Sequence, residues 1–183
     1  MEDLLLINNG NLNPAYNLAL EEVLLTEAES SFFMLWRNSP AIIIGANQDY
    51  HYEVDVEFAK KHSIPIYLRK TGGGTVYHDL GTLNFSFIMP LECSCVEALN
   101  KFLLLLGVDD LKIKSNDVLL GQHKIIGTAQ RIYGNKRLFH GSLLYDTNLD
   151  VLANVLTPDQ SKLRRNGVAS VAARVANLRQ AMN

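Results

Sequence analysis

Cysteine is scarce in this chain, and its two copies, Cys93 and Cys95, lie too close together for an ordinary structural disulfide. That excludes a disulfide-stapled secreted scaffold and makes cytoplasmic residence the simplest expectation. No apolar run is long enough to span a bilayer, and the acidic start Met1-Glu2-Asp3 lacks the positive region of a secretory signal. Positive charge is not in excess either. The formal net charge is -2, so neither nucleic acid nor an anionic membrane is an expected partner, and any anion site must be local. Internal repeats and low-complexity stretches are missing. So are the two common nucleotide loops: no Gly-Lys-Ser/Thr follows the glycine run, and the Gly-x-Gly-x-x-Gly spacing does not occur.

What is present suits one globular domain. The 183 residues are 48% apolar and 20% charged, enough to bury a sizeable core. Leu4 to Ile7 reads as a buried strand. Asn13-Pro14 opens a helix running to about Ala28, with Glu21 and Glu22 on its wet side. Strands are expected at Phe32–Trp36, Ala41–Ile44 and Ile64–Leu68, and a short helix from Asp55 to Lys61. Leu83 to Ile88 alternates apolar and polar residues as a half-buried strand does. A leucine-rich helix spans Cys95 to Leu106 and ends at Gly107. Asp117–Leu120 and His123–Gly127 form a hairpin about Gly121-Gln122, and Arg137–Tyr145 is a further strand. A helix follows from Leu149 to Leu156, then a basic tail from Ser161. Strands in hairpins outnumber helices, which predicts an α+β fold with a mixed or antiparallel sheet flanked by helices.

Four constellations carry possible chemistry. The first is Arg69-Lys70-Thr71-Gly72-Gly73-Gly74-Thr75-Val76-Tyr77-His78-Asp79, where the chain leaves a strand. Glycines alone make a tight turn, but here two cations, two hydroxyls and a histidine surround them. Backbone without Cβ atoms can lie against a ligand and aim its N–H groups at an anion. The second is Lys124, read either as a solvated edge lysine or as a point charge for a phosphate or carbonyl, with small residues Gly127, Thr128 and Ala129 giving access. The third is His140-Gly141-Ser142 in mid-strand, a bulge or a place of close ligand approach. The fourth is Ser115-Asn116-Asp117, a turn or an oxygen set for nucleotide-bound magnesium. Cys93 and Cys95 lie away from these segments and read as packing or helix-start residues.

Together these segments resemble the lipoate–protein ligase family, which shares its catalytic fold with biotin–protein ligases. Arg69 to Gly81 carries the resemblance. It continues through Asn116-Asp117, Lys124 to Ala129, His140 to Leu144 and Ser170 to Leu178, with Trp36-Arg37 and Ile44 to Gln48 upstream. It covers nearly the whole chain. The resemblance implies two half-reactions: lipoate and ATP give lipoyl-AMP, and the lipoyl group then passes to a lysine of an apo lipoyl domain, on the E2 subunit of a 2-oxoacid dehydrogenase or on glycine cleavage H protein. It implies that Gly74, Thr75, Val76 and Tyr77 hold the adenylate, with Lys70, Thr71, Gly72, Gly73 and His78 in the same loop. Arg69 would meet the phosphate and Lys124 would be catalytic. Asp117 would position Mg2+ or the incoming amine, and His140 and Ser142 would shape the acyl pocket.

Lys70, Thr71, Thr82, Ser115, Ala172 and Ala173 depart from the family's usual residues, which predicts altered phosphate contacts or weaker activity on an unchanged fold. Against typical members, residues 1–183 correspond to the catalytic domain without the C-terminal accessory domain, which some members carry on a separate polypeptide. Two other readings remain open: an octanoyl or lipoyl acyltransferase of the same fold working through a cysteine thioester, and a non-catalytic module that binds lipoate or lipoyl domains.

Overall fold

The computed structural model describes residues 4–108, 111–157 and 175–181. Seven strands form one mixed sheet in the order β1 (Leu4–Asn9), β2 (Ser31–Trp36), β6 (Thr82–Pro90), β10 (Lys136–Leu144), β9 (His123–Tyr133), β8 (Asp117–Leu120), β7 (Leu111–Lys114). Only β1 and β2 pair in parallel within it. A second sheet has β3 (Ala41–Ile44) at its centre, parallel to β4 (Ile66–Leu68) and antiparallel to β5 (Val76–His78). The expected α+β class with a mixed sheet is the observed one.

Period-two alternation sorts the large sheet's two faces. Phe85, Phe87 and Leu143 join Leu99, Phe102 and Leu103 of helix α4 (Cys95–Leu105) in one core. On the other face Met34, Trp36, Ile88 and Leu138 pack against Leu24 and Leu25 of helix α1 (Pro14–Thr26). A third core joins the small sheet to α3 (Val56–Lys61) and α5 (Leu149–Val155). Asn13 caps α1, its side chain accepting from the amides of Ala15 and Tyr16, and Pro14 follows in the first turn.

Several expectations are corrected. The run Leu4-Leu5-Leu6 is an edge strand and not a buried one, with Leu6 67% exposed; an apolar run does not say how many sheet neighbours it has. Glu21 is buried rather than wet, and Asn84 and Ser86 are buried too, because α1 covers their face of the sheet. A short helix, α2 (Tyr50–Glu53), precedes α3, and β9 runs well past Gly127. His140-Gly141-Ser142 sits in regular register with both neighbours, without a bulge. The basic tail and Ser170–Arg174 lie outside the described residues. Helix α6 (Leu178–Ala181) follows Asn177, whose side chain bonds the backbone of Thr147 twice.

Candidate active site

Arg69 builds the glycine loop. Its amide donates to Ile44 O at 2.9 Å as the chain leaves β4. Its guanidinium donates through Nε to Thr71 Oγ1, through Nη1 to Ile43 O, and through Nη2 to the carbonyls of Gly72 and Gly74 at 2.7 and 2.8 Å. Arginine carries five N–H donors, so the protein itself takes four of them. Arg69 is thus chiefly the scaffold of the loop, and it lines the cavity beside it with one N–H donor left over. Burial lowers its pKa to about 10, partly offset by the charge of Glu21, so it stays cationic at neutral pH. Because N–H and C=O are antiparallel in a trans peptide, holding those two carbonyls on the guanidinium turns the amides of Gly73 and Thr75 away from it. Gly73 sits at φ +91, and a Cβ on Gly45 would come within 2.1 Å of Gly73 O. Two glycines thus let the loop and the end of β3 touch.

A cavity of about 370 Å³ lies beside this loop. Its wall takes Gly73 to Val76 from the loop, Asp117, Lys124 and Gly127 to Ala129 from the β8–β9 hairpin, His140 to Ser142 from β10, and Arg69 and His78. Thirteen of the site residues expected from sequence meet there; Lys70, Thr71, Gly72 and Tyr77 do not. Lys70 and Thr71 face a separate compartment against α1. Gly72 gives its carbonyl to Arg69. Tyr77 packs into the small sheet's core, and burial pushes its phenol up to about 12, with the charge of Asp79 adding. Thr75 lines the cavity, and its Oγ1 is buried without a hydrogen-bond partner among the described residues.

Lys124 Nζ lies 2.7 Å from Asp117 Oδ1. The strand irregularity opposite Val118 and Leu119 explains how it gets there. Ile125 and Ile126 are both buried in the core, so one residue of β9 is extra and Lys124 and Gly127 share the cavity face. A Cβ on Gly127 would lie 3.0 Å from Lys124 Nζ, so glycine leaves the ammonium its room. Val175 bridges to Lys124, and Ala176 N donates to Lys124 O, which fixes the strand from outside.

Two buried histidines complete the wall. Asn38 Nδ2 donates to His78 Nδ1 at 3.0 Å, which leaves the proton on Nε2, pointing at Ser142 Oγ 2.8 Å away. Ser142 then donates to Asn84 Oδ1. Burial, with Arg69 and His140 nearby, lowers the pKa of His78 to about 3, so it is neutral. His140 lies between Glu21, 2.8 Å from Nδ1, and Thr71, 2.9 Å from Nε2. The sequence reading missed Glu21, Asn38 and Asn84 here; each acts through partners far away in sequence, with no local signal. Trp36, which also lines the cavity, was flagged only through Trp36-Arg37.

Residues 13–183 match the family described as the lipoyl protein ligase A/B catalytic domain. Lipoate–protein ligase 1 of Staphylococcus aureus is 38% identical over 185 residues, which cover 96% of this chain and 56% of that protein. The chain thus spans about half the length of the curated relatives it matches. Among solved structures, the bi-partite lipoate protein ligase of Thermoplasma acidophilum, described with its E2 lipoyl domain, superposes with a TM-score of 0.77 at 31% identity over 98% of this chain and 76% of that one. A lipoate–protein ligase A bound with ATP gives 0.74 at 32% identity, over 97% and 76%.

Proposed function

The chain belongs to the lipoyl protein ligase A/B catalytic-domain family, and from that premise we propose that it activates lipoate with ATP and passes the lipoyl group to a protein lysine. In the first step a lipoate carboxylate oxygen attacks the α-phosphorus of ATP; the bond to the bridging oxygen breaks and pyrophosphate leaves. In the second, the acceptor lysine Nζ attacks the lipoyl carbonyl carbon, the acyl C–O bond breaks, AMP leaves, and the amine proton is lost to solvent. The observation that carries this reading is the meeting of Lys124 with the glycine loop across one cavity. The amides of Gly73 and Thr75 and the Thr75 hydroxyl receive the phosphate. Lys124 swings from Asp117 to the oxygens on which charge grows, where a fixed donor lowers the barrier. Trp36 and Leu18 supply apolar wall for the acyl chain.

Mg2+ arriving with ATP would supply charge neutralisation at the phosphates, with Asp117 as its protein carboxylate. Among the described residues no three His, Cys, Asp or Glu side chains form a cage, which suits an ion held mostly by phosphates and water. The acceptors are apo lipoyl domains of E2 subunits or glycine cleavage H protein. A separate accessory protein is a further proposed partner, since a lipoate protein ligase of Thermoplasma acidophilum is described as bi-partite. Residues 1–183 act as one catalytic unit, in the cytoplasm where ATP is available. No described helix is long and apolar enough to cross a membrane.

The thioester alternative finds no nucleophile: Cys93 is exposed, Cys95 is buried at the start of α4, and neither lines the cavity. Mass spectrometry of an apo lipoyl domain incubated with the protein tests the proposal. A gain of one lipoyl group is expected with lipoyl-AMP. No gain either with lipoyl-AMP or with lipoate plus ATP overturns it.

A further inference from the structure

Glu21 is a carboxylate only 3% exposed, and the reaction above gives it no role. Its Oε1 receives Ser86 Oγ at 2.5 Å and His140 Nδ1 at 2.8 Å. A carboxylate only accepts, so His140 donates to it from Nδ1–H, and where the ring carries that proton alone Nε2 is left as an acceptor. Thr71, 2.9 Å from Nε2, must then donate its hydroxyl to the ring, and its oxygen is free to accept from Arg69 Nε, also at 2.9 Å. Arg69 in turn holds the carbonyls of Gly72 and Gly74. Every link has one donor and one acceptor, and the order runs without a gap from helix α1 to the glycine loop. Without the carboxylate, His140 can take the other tautomer, with Nε2–H aimed at Thr71 and the hydroxyl turned away.

We infer that Glu21 is a positioning residue that, through His140, Thr71 and Arg69, sets the shape of the glycine loop and so its grip on the adenylate phosphate. The inference rests on the lipoyl-adenylate reading of the cavity. The loop amides hold the phosphate before and during transfer, so weakening them raises KM and leaves kcat largely in place.

Steady-state transfer from lipoyl-AMP and nuclear magnetic resonance test it together. Glu21→Ala is expected to raise KM for lipoyl-AMP about tenfold with kcat changed less than about threefold. Thr71→Val, close in shape but without the hydroxyl, should raise KM alike, and the double variant should go no further than either, because both cut one chain. Glu21→Gln, which keeps an accepting oxygen, should restore most of the KM. The ring 15N signals of His140 should show Nδ1–H in the wild type and lose it in Glu21→Ala, and the amide signals of Gly73 and Thr75 should shift in both single variants. A lower melting temperature or active fraction with unchanged KM would mean a merely structural carboxylate and overturn the inference. KM increases that multiply in the double variant would overturn it as well. Failure of wild-type transfer strikes the functional reading alone, because the His140 tautomer and the Gly73 and Thr75 shifts judge the relay without turnover; unmoved shifts sink it whatever the activity.

Discussion

Lys124 and Asp117 hold each other 2.7 Å apart with both side chains partly open to solvent, an ion pair of little worth to stability. A phosphate entering the cavity can therefore draw the ammonium away cheaply. Lys124→Ala should cut the rate of transfer from lipoyl-AMP roughly 100-fold, about 3 kcal/mol of barrier, with KM changed little; near-normal transfer by that variant would remove Lys124 from the chemistry. His78 gives a prediction of another kind. Its pKa falls from 6.5 to about 3, chiefly through burial, then through Arg69 and His140. The unfolded chain takes up a proton there below about pH 6.5 that the folded chain refuses until about pH 3, so stability is full above that range and declines as pH falls. Between about pH 7 and pH 5 the loss from this residue is about 2 kcal/mol. Thermal melts of the wild type and His78→Gln should show a smaller acid-side decline in the variant. At this scale the sequence disclosed chemical type but not burial. Glu21 and Glu22 are neighbours on one helix, and only Ser86 and His140, distant in the chain, decide that Glu21 is the buried one.

Elements place these groups where side-chain identity alone does not. The β8–β9 hairpin was legible from two short apolar runs about Gly121-Gln122, and Gly121 sits at φ +59. Its irregular register was not, since only the pairing with the neighbouring strand turns both Ile125 and Ile126 into the core and leaves Lys124 and Gly127 on one face. Strand β5, directly after the glycine loop, was likewise hidden, because its three residues gain strand character only by pairing with β3. That pairing brings Gly45 against Gly73. Gly45→Ala would force the glycine loop away from β3, because backbone on both sides has no flexible end to give. The expected result is a loss of about 1–3 kcal/mol in stability, read by denaturant unfolding, together with a raised KM for lipoyl-AMP. Unchanged KM and stability would show that the contact between Gly45 and Gly73 does not shape the site.

Across the whole molecule, the two sheets and α1 enclose one cavity in which neither cysteine takes part, and that separates two chemistries that this fold can serve. A thioester route needs a thiolate beside the acyl carbonyl. Cys95 instead packs beside Leu99 and Phe102 in the core under α4, and its sulfur accepts from Arg137 Nη1 at 3.3 Å. Cys93 is exposed in the turn before that helix and does not line the cavity. The adenylate route proposed above needs an anion cradle, a cation and an apolar wall, and the cavity is lined by the glycine loop, Lys124, Leu18 and Trp36. The residues of that cavity were legible in the sequence because the glycine loop, Lys124 and His140-Gly141-Ser142 each broke a local pattern, a glycine run, a cation in an apolar strand, a glycine in mid-strand. That they meet is a property of the fold. A variant with Cys93→Ser and Cys95→Ser together should therefore transfer lipoyl from lipoyl-AMP within about twofold of the wild-type kcat. It should form no hydroxylamine-labile acyl-protein when offered an octanoyl or lipoyl thioester. Abolished transfer in a variant that still melts cooperatively would mean that the acyl group rests on sulfur, and would move the active site from the glycine loop to the start of α4.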